Sequence, residues 1–406
     1  MTPTRPAVPP GRKSVLVVCP YPERCAPSQR LKYEQYFPAW ERAGYDVTVA
    51  PFISPQFMRI VYQPGCVLKK VAWTLLGYVR RLLLLARLRR YDVVYVHLWV
   101  VPYGPPFVEL LYCLFARAVV YDVDDMIHLR ITEKVNANWF AYAFKSASRV
   151  TCLMKYADHV ITCTPALDAF ARRFNGRTTD VSSTVDTGVY VPRPRHSNDH
   201  TLVLGWSGSH STSRWLRLLV PVLRDLRQDL DFRLVVIGDP EFSADGLDVT
   251  ALPWREETEV DDLRRIDVGL YPLPDEPWVY GKSGLKAIQY MALGIPPVAT
   301  AVGANHRVIE DGVGGLLVSS AAGWKAAILR LAADPGLRDA MGRAARERVE
   351  RLFSIHANVS TYLAILDGAT GRARETGDDP CAASTANSTS RAAGTSRRRP
   401  TSPRTC

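Results

Sequence analysis

Short apolar runs alternate with amphipathic segments along most of the chain. The runs are typical of buried strands, and several of the segments between them show the helical spacing of apolar positions. This succession predicts parallel sheets covered by helices, an α/β fold. The strand-like runs are residues 14–19, 45–51, 91–96, 118–123, 201–206, 232–238, 268–273, 297–302 and 316–318.

A polar run, PRPRHSNDH, separates two halves that repeat this pattern. At 406 residues the chain is longer than one core usually fills, so we expect two domains. The expected parts are a disordered leader over 1–12, a first Rossmann-like domain over 13–191, a linker over 192–200 and a second Rossmann-like domain over 201–352. A helix over 353–369 that packs back on the first domain and a disordered basic tail over 370–406 complete the chain.

The formal net charge of +11 comes from two segments. Residues 67–90 hold seven basic and no acidic residues, and residues 370–406 hold seven basic and three acidic ones. Because the remainder is neutral, a general nucleic-acid-binding surface is not expected. Eight cysteines are scattered without a CxxC pair or a metal-ligand spacing. They are typical of small core residues in a reduced, cytoplasmic protein with no metal site.

The segment from Val67 to Arg90 predicts a basic amphipathic helix. One interpretation is a surface helix with a solvated basic face. The other is a helix lying on an anionic membrane, which the absence of any acidic residue favours and which would place the protein peripherally on the inner face of the plasma membrane. The basic stripe is Lys69, Lys70, Arg80, Arg81 and Arg87, and the opposite apolar cluster is Leu68, Val71, Leu75, Val79, Leu82 and Leu83.

Residues 275–315 contain the most suggestive local chemistry. Gly281–Gly284 predicts a loop and Ser283 a helix cap, and Lys282 and Lys286 flank the start of the following helix. Two cations beside the positive end of a helix macrodipole are locally unfavourable, which indicates an anion such as a diphosphate at this place. The alternative is two solvated lysines on a surface helix.

Four motifs together resemble the GT-B glycosyltransferases, and specifically family 4 of the retaining enzymes of bacterial polysaccharide and glycolipid synthesis. They are GKSGLKAIQYMALGIPPVATAVGANHRVIEDGVGGLLV, ADHVITCTPALDAF, VDTGVYVPRP and LGWSGSHSTSRWL. The resemblance covers about residues 14–365. It implies two Rossmann-like domains facing each other across a cleft, a nucleotide-diphosphate-sugar donor on the second domain, an acceptor on the first, and no cofactor. The implied reaction is hexosyl transfer with retention to a hydroxyl of a glycan, a lipid-linked molecule or a small molecule.

The sequence departs from the family 4 pattern at its two usual glutamates. Gly281 and Gln289 occupy those positions, and Glu276 is the nearest acidic residue that could replace the first. Gln289 can still hydrogen-bond a ribose hydroxyl, as the second glutamate of the family does. The usual lysine after the first strand of the second domain is also absent, so Lys282 and Lys286 are expected in the phosphate role, with Arg214 a weaker candidate.

The resemblance and the positions after strands define the candidate residues. Alternatives remain for several: His97 as a satisfied strand-end histidine, the aspartates as helix caps or metal ligands, Gln29 and Arg30 as helix-start residues, and Glu276 as an ordinary loop acid. The expected catalytic set is His97, Asp124, Asp125, Lys282 and Glu276. The expected donor-binding set is Ser207, Gly208, His210, Arg214, Lys282, Ser283, Gly284, Lys286, Gln289 and Asn305. The expected acceptor-side set is Gln29, Arg30 and Asp122.

Two other functions use the same scaffold. A nucleotide-sugar epimerase needs no acceptor, and the basic helix argues against it. A non-catalytic nucleotide-sugar-binding protein is suggested by the missing glutamates, and fold alone does not exclude it.

Overall fold

The computed structural model describes residues 11–129, 147–192 and 201–378, with side chains as far as Gly371. Most of the expected leader and nearly all of the expected linker and tail lie outside these residues. The described chain forms two six-stranded sheets, in each of which every pair of neighbouring strands is parallel. The predicted α/β architecture is therefore confirmed.

The first sheet has the strand order β2-β1-β3-β4-β5-β6. Its central strands are short and mostly apolar, as expected where helices cover both faces of a parallel sheet. The strands are β1 (Lys13–Cys19), β2 (Tyr45–Pro51), β3 (Val93–His97), β4 (Val119–Asp122), β5 (His159–Thr162) and β6 (Thr178–Asp180). The helices are α1 (Pro27–Arg30), α2 (Phe37–Arg42), α3 (Pro55–Val61), α4 (Val67–Leu85), α5 (Phe107–Phe115), α6 (Ala147–Tyr156) and α7 (Pro165–Ala171).

The second sheet has the order β12-β11-β10-β7-β8-β9. Its strands are β7 (Leu202–Ser207), β8 (Phe232–Ile237), β9 (Val249–Leu252), β10 (Val268–Tyr271), β11 (Pro297–Thr300) and β12 (Leu316–Val318). The helices are α8 (Ser213–Arg217), α9 (Val220–Leu226), α10 (Glu259–Leu263), α11 (Leu285–Ala292), α12 (Asn305–Val308), α13 (Ala321–Ala333), α14 (Pro335–Leu352) and α15 (Ile355–Asp378). Helices α8 and α9 are separate, and Pro221 stands in the first turn of α9, where its missing N–H is tolerated.

Helix α15 leaves the second domain and packs on the first sheet. Tyr362 and Leu366 are buried in the same core cluster as Val15 and Tyr95. The helix continues to Asp378, so the expectation of a disordered tail from residue 370 is wrong for 370–378. In the first domain, a 3-10 turn separates α1 from α2.

Helix α4 buries one residue of its expected basic stripe and leaves its whole expected apolar cluster exposed. Arg81, expected on a solvated basic stripe, is buried and donates to the carbonyl oxygens of Val100, Ala50 and Cys19 at 2.9, 2.7 and 2.9 Å. These charge-assisted bonds hold the guanidinium inside the domain. The apolar cluster faces outward instead, with Leu68 86% and Leu83 69% exposed. The expectation that cysteines are core residues is likewise wrong for Cys25 and Cys66, which are exposed.

Candidate functional site

The carboxyl ends of the strands meet at the cleft between the two domains. In the first sheet the chain reverses its direction of winding between β1 and β3, and in the second sheet between β7 and β10. Ligands of doubly wound sheets bind beyond the carboxyl ends of strands at such switch points. His97 ends β3 and Ser207 ends β7, so both candidate residues lie at these points.

A left-handed glycine begins the helix that follows β10. Gly284 has φ +79° at the N-cap of α11, and a Cβ there would lie 2.8 Å from Cγ2 of Val308. Glycine is therefore required on both conformational and steric grounds. The first turn of α11 directs its unpaired N–H groups toward its N-terminus, where anions are favoured.

Lys286 stands in that first turn with its side chain turned toward β7. Its ammonium group is 3.4 Å from Ser207 Oγ and 3.2 Å from Gln289 Oε1. Burial lowers the pKa of Lys286, and the carboxylate of Glu259 acts in the opposite direction. A half-buried ammonium with two weak neutral partners can still bind a strong acceptor such as a phosphate oxygen.

Gln289 is fully buried and held by a cluster that the sequence did not reveal. Its Nε2 donates to Glu259 Oε1 at 3.0 Å and to the Tyr190 hydroxyl at 2.9 Å. Glu259 is itself buried and accepts from Tyr190 and from Trp254 Nε1, each at 3.0 Å. Both amide hydrogens of Gln289 are thus occupied, and its Oε1 is turned toward Lys286. This residue therefore presents only an acceptor to the site.

Arg30 joins that same cluster from the first domain. Its guanidinium forms an ion pair with Glu259 and lies over the Trp254 ring, 5.6 Å from the centroid. Burial alone would raise the pKa of Glu259, but Arg30 and Lys286 outweigh it and lower that pKa, so the carboxylate is ionised. Arg30 was expected beside the acceptor, and the structure places it instead in the cluster around Gln289.

The position of the first missing glutamate is closed by the first domain. A Cβ at Gly281 would lie 2.6 Å from the backbone nitrogen of Met126 and 3.1 Å from the carbonyl carbon of Asp125. No side chain fits there. The acid at this place comes from Asp125, whose Oδ2 is 2.7 Å from Lys282 Nζ. Burial would lower the pKa of Lys282, but Asp125 outweighs it and raises it.

Ser283 and Asn305, two other donor-side candidates, have structural contacts. Ser283 joins the two domains, and Asn305 fixes the loop after β11. Ser283 Oγ is 2.7 Å from Ser183 Oγ, so Ser283 contacts the end of the first domain and does not cap α11. Asn305 Nδ2 donates to the carbonyl oxygen of Thr300 at 2.9 Å, at the end of β11.

His97 and Asp124 lie side by side at the carboxyl end of the first sheet. His97 is completely buried, and burial lowers its pKa to about 4. Its Nε2 lies 3.8 Å from Asp124 Oδ1, and neither ring nitrogen has a hydrogen-bond partner in the described part of the chain. Burial raises the pKa of Asp124 to about 6. At neutral pH the pair is therefore a neutral imidazole beside a carboxylate.

Asp122 and Gln29, both expected on the acceptor side, are occupied within the first domain. Asp122 is fully buried, pairs with Lys32 at 2.6 Å and accepts from the Tyr95 hydroxyl. Gln29 is fully buried, and its amide bonds with the backbone N–H and C=O of Tyr21 and with Glu34. Both residues hold the loops in position.

The remaining candidates lie around the rim of the second domain. The exposed carboxylate of Glu276 accepts from the indole of Trp278, and its role in place of a family glutamate stays a prediction. The guanidinium carbon of Arg214 lies 4.4 Å from the centroid of the Trp215 ring, and the ring centroids of Trp215 and Trp278 are 5.5 Å apart. His210 Nδ1 is 2.9 Å from Asp239 Oδ1, which raises the pKa of this exposed histidine.

Gly208 allows the close approach of two loops. A Cβ there would lie 2.2 Å from the Trp206 ring, and a Cβ at Gly238 would lie 1.8 Å from the Gly208 carbonyl oxygen. This packing fixes the loop that follows Ser207.

Sequence reasoning missed Glu259, Tyr190 and Lys32. Glu259 belongs to an acidic run, REETEV, in which nothing distinguishes the buried carboxylate from its exposed neighbours. Within residues 11–129, 147–192 and 201–378, no group of three His, Cys, Asp or Glu side chains is placed to hold a metal ion. In the same residues no helix is both long enough and apolar enough to cross a bilayer.

Comparison with known proteins supports the assignment of the second domain. Residues 201–334 match the family described as Glycosyl transferases group 1. The D-inositol 3-phosphate glycosyltransferase of Pseudarthrobacter chlorophenolicus is 34% identical over 227 residues, which are 50% of this chain and 49% of that protein. Its namesake from Arthrobacter sp. is 32% identical over 214 residues, 45% of this chain and 50% of that protein. The chain thus spans about half the length of these curated relatives.

The fold has well-covered structural neighbours. The sucrose-phosphate synthase of Thermosynechococcus elongatus superposes with a TM-score of 0.66 at 20% identity, over 88% of this chain and 98% of the neighbour. Anabaena HepE in complex with UDP-glucose gives a TM-score of 0.61 at 16% identity, over 87% and 99%. The resemblance to GT-B glycosyltransferases is confirmed, while family 4 and retention stay predictions. The chain therefore has the GT-B fold of these structural neighbours, and its residues 201–334 match the group 1 glycosyltransferase family.

Proposed function

We propose that the protein transfers a hexosyl group from a nucleoside-diphosphate sugar to an acceptor hydroxyl, with retention. One observation carries the proposal: Lys286 and the N-terminus of α11 converge with Ser207 at the switch point of the second sheet. The leaving diphosphate gains negative charge as the glycosidic bond breaks. A fixed ammonium and fixed N–H groups therefore stabilise the transition state more than the bound donor.

The first-domain residues suit the other half of the reaction. Neutral His97 can donate a hydrogen bond to a hydroxyl of the transferred sugar. The carboxylate of Asp124 can orient the acceptor hydroxyl, and the leaving phosphate oxygen can take its proton. Retention follows if the acceptor attacks from the face that the diphosphate leaves. The position of Lys286, His97 and Asp124 at the carboxyl ends of the strands supports that arrangement.

Lys282 exchanges partners in this mechanism. Its ammonium is paired with Asp125 across the cleft, and both side chains are about two-fifths exposed. An exposed pair of this kind contributes little and is readily replaced. On donor binding we expect a phosphate oxygen to replace Asp125, which leaves Asp125 free for the acceptor.

We further propose that the acceptor is presented at an anionic membrane surface, with the protein on the inner face of the plasma membrane. The outward apolar face of α4 continues onto α5, where Phe107 is 69% and Leu114 64% exposed. Exposed apolar patches of this extent mark interaction surfaces. The basic residues at 67–90 suit anionic lipid headgroups. This surface favours a lipid-linked acceptor over a free polyol phosphate of the kind for which the relatives are named.

The reaction is tested with the purified protein, a panel of nucleotide sugars that begins with UDP-glucose, and bacterial lipid extract. We expect release of nucleoside diphosphate and labelled sugar in the lipid fraction, with the anomeric configuration of the donor kept. Isomerised free donor would establish the epimerase alternative. Binding of donors without transfer or hydrolysis across the panel would overturn the proposal.

The membrane surface is tested by flotation with phosphatidylglycerol and phosphatidylcholine vesicles. Binding to the anionic vesicles is expected, and it should fall for Leu75→Ser/Leu82→Ser, both of whose side chains are exposed. Equal binding to the two vesicle types, or binding to neither, would overturn this proposal and show that α4 is an ordinary surface helix.

A further inference from the structure

An apolar pocket of about 270 Å³ opens between α4 and the start of α5. Its walls are Tyr78, Val101, the turn 103–105, Phe107 and Val108. The Tyr78 hydroxyl donates to the Tyr103 carbonyl oxygen at 2.6 Å and accepts from the Tyr103 N–H at 3.0 Å. These two bonds fix the turn, so the pocket is preformed and its main polar group is already satisfied.

The pocket belongs to the same edge of the first sheet as the candidate site. The chain reaches it directly from His97, through a loop that leaves the carboxyl end of β3 and enters α5 at Phe107. Leu98 begins that loop with φ +62°, and its carbonyl oxygen accepts from the Tyr121 hydroxyl at 2.9 Å. The loop is therefore anchored between the cleft and the pocket.

The pocket is also continuous with the apolar face of α4. Tyr78 lies three residues after Leu75 and four before Leu82, so the three side chains are neighbours on the helix surface. Leu75 and Leu82 are exposed, as is Phe107 on the opposite rim. Exposed Lys69 and Arg80 stand beside this apolar face, and no acidic residue occurs in residues 67–90. An occupant can thus enter from an anionic lipid surface.

We propose that this pocket holds the hydrocarbon chain of a lipid-linked acceptor whose polar end reaches His97 and Asp124. The inference rests on the proposed glycosyl transfer and names the class of its acceptor. The pocket is smaller than the ~300–1,000 Å³ typical of sites for whole small molecules. Its apolar walls offer nothing to a sugar or a phosphate, whereas a single chain needs only apolar area.

Photo-crosslinking tests occupancy without requiring turnover. The full-length protein is irradiated with phosphatidylglycerol vesicles that contain a phospholipid with a diazirine near the end of one acyl chain. We expect crosslinks in the peptide containing Tyr103 and Phe107. The variant Phe107→Ser should reduce them about tenfold, the loss expected for one buried aromatic contact.

Leu114→Ser is the matched control, because Leu114 lies on the same helix with similar exposure but does not line the pocket. Each variant removes one exposed apolar side chain, so flotation should change by the same amount for both. Crosslinks confined to α4, or lost equally in both variants, would overturn the proposal. If the unmodified protein is a dimer without lipid and only the Phe107→Ser variant is a monomer, the pocket is occupied by a second copy of the chain, which also overturns the proposal.

Transfer to the lipid extract separates an acceptor chain from a bulk membrane lipid. For Phe107→Ser we expect the half-saturating amount of extract to rise about tenfold, while the half-saturating donor concentration stays that of Leu114→Ser. Crosslinking at the pocket with no such rise would mean that a bulk lipid occupies it, which overturns the acceptor assignment. If no donor is turned over at all but the crosslinks appear, the transferase proposal fails while the chain-binding pocket stands.

Discussion

Gln289 donates its side-chain amide to the carboxylate of Glu259 at 3.0 Å. An ionised carboxylate only accepts hydrogen bonds and the Lys286 ammonium only donates them. The amide nitrogen of Gln289 therefore faces Glu259, and its oxygen faces Lys286. Gln289 Oε1 is left as the acceptor toward the site. The negative charge beside the site is therefore carried by Glu259, and Gln289 contributes one acceptor oxygen.

This arrangement predicts that a glutamate introduced at position 289 alone is harmful. Gln289→Glu would place two carboxylates about 3 Å apart in a buried cluster, where both cannot stay ionised. We expect the donor KM to rise at least tenfold. In Glu259→Gln/Gln289→Glu, the amide of residue 259 can donate to the new carboxylate, and most of the loss should be recovered.

A double-mutant cycle on donor KM and on nucleoside-diphosphate affinity measures this coupling. An interaction energy of ~1–3 kcal/mol is expected for residues in one hydrogen-bond network. Losses that simply add would show that Glu259 does not position Gln289.

Lys286 is predicted to matter more for the chemical step than for binding the intact donor. Lys286→Met removes the ammonium aimed at the developing diphosphate charge, and we expect kcat to fall ~10²–10³-fold, as for other groups of this kind. Lys325→Met is the control, because Lys325 pairs with Asp225 and Asp229 on the surface. Steady-state kinetics with thermal unfolding of both variants separates lost chemistry from lost stability. Unchanged kcat in Lys286→Met would remove Lys286 from the mechanism.

Local sequence patterns were sufficient for the fold and insufficient for the cluster around Glu259. Strand and helix order depends on neighbouring residues, as in the apolar run of β1, and those elements were predicted to within a few positions. Arg30 and Glu259, by contrast, meet only after both domains fold and pack together. Arg81 was placed on the solvated face because a charge is normally solvated, whereas hydrogen bonds to three backbone carbonyl oxygens hold it inside. Contacts of this kind between distant residues produce no periodic pattern in a single sequence.

The raised pKa of Asp124 predicts an acidic limb in the pH profile. Its carboxyl titrates at about 6, so kcat should fall as pH drops below 6 and the carboxylate takes a proton. His97 titrates at about 4 and stays neutral over this range, so the limb belongs to Asp124. Asp124→Asn should lower kcat and abolish the limb. A limb that persists at pH 6 in Asp124→Asn would assign it to another group.

The raised pKa of Asp124 also affects stability. Low pH favours the folded state through this group, whereas low pH is expected to reduce kcat. The folded pKa lies above the ordinary ~3.9 of aspartate, so the folded state holds the proton more tightly. This contribution to stability is fully present below about pH 4 and is lost as pH rises through 6. Thermal midpoints across that window should therefore decline less with pH in Asp124→Asn than in the unmodified protein.

Gly284 is predicted to tolerate no side chain at the start of α11. Gly284→Ala incurs ~1–2 kcal/mol for a left-handed alanine and ~1–3 kcal/mol more from the 2.8 Å contact with Val308. Gly246→Ala is a matched control, because Gly246 has the same φ of +79° and nothing within 4 Å of its Cβ position. Chemical denaturation should show the larger loss for Gly284→Ala, together with weaker nucleoside-diphosphate binding. Equal losses would mean that Val308 yields freely.

The buried ion pair of Lys32 and Asp122 is predicted to hold the first domain together at the cleft. Both side chains are fully buried, 2.6 Å apart, and Asp122 outweighs burial to raise the pKa of Lys32, so the lysine is charged. Asp122→Asn leaves that charge uncompensated and should reduce the free energy of unfolding by ~3–5 kcal/mol. Asp231→Asn breaks the exposed pair with Arg227 and should cost less than ~1 kcal/mol. Urea denaturation of the two variants decides the question, since similar midpoints would show that Lys32 finds another partner or loses its proton on folding.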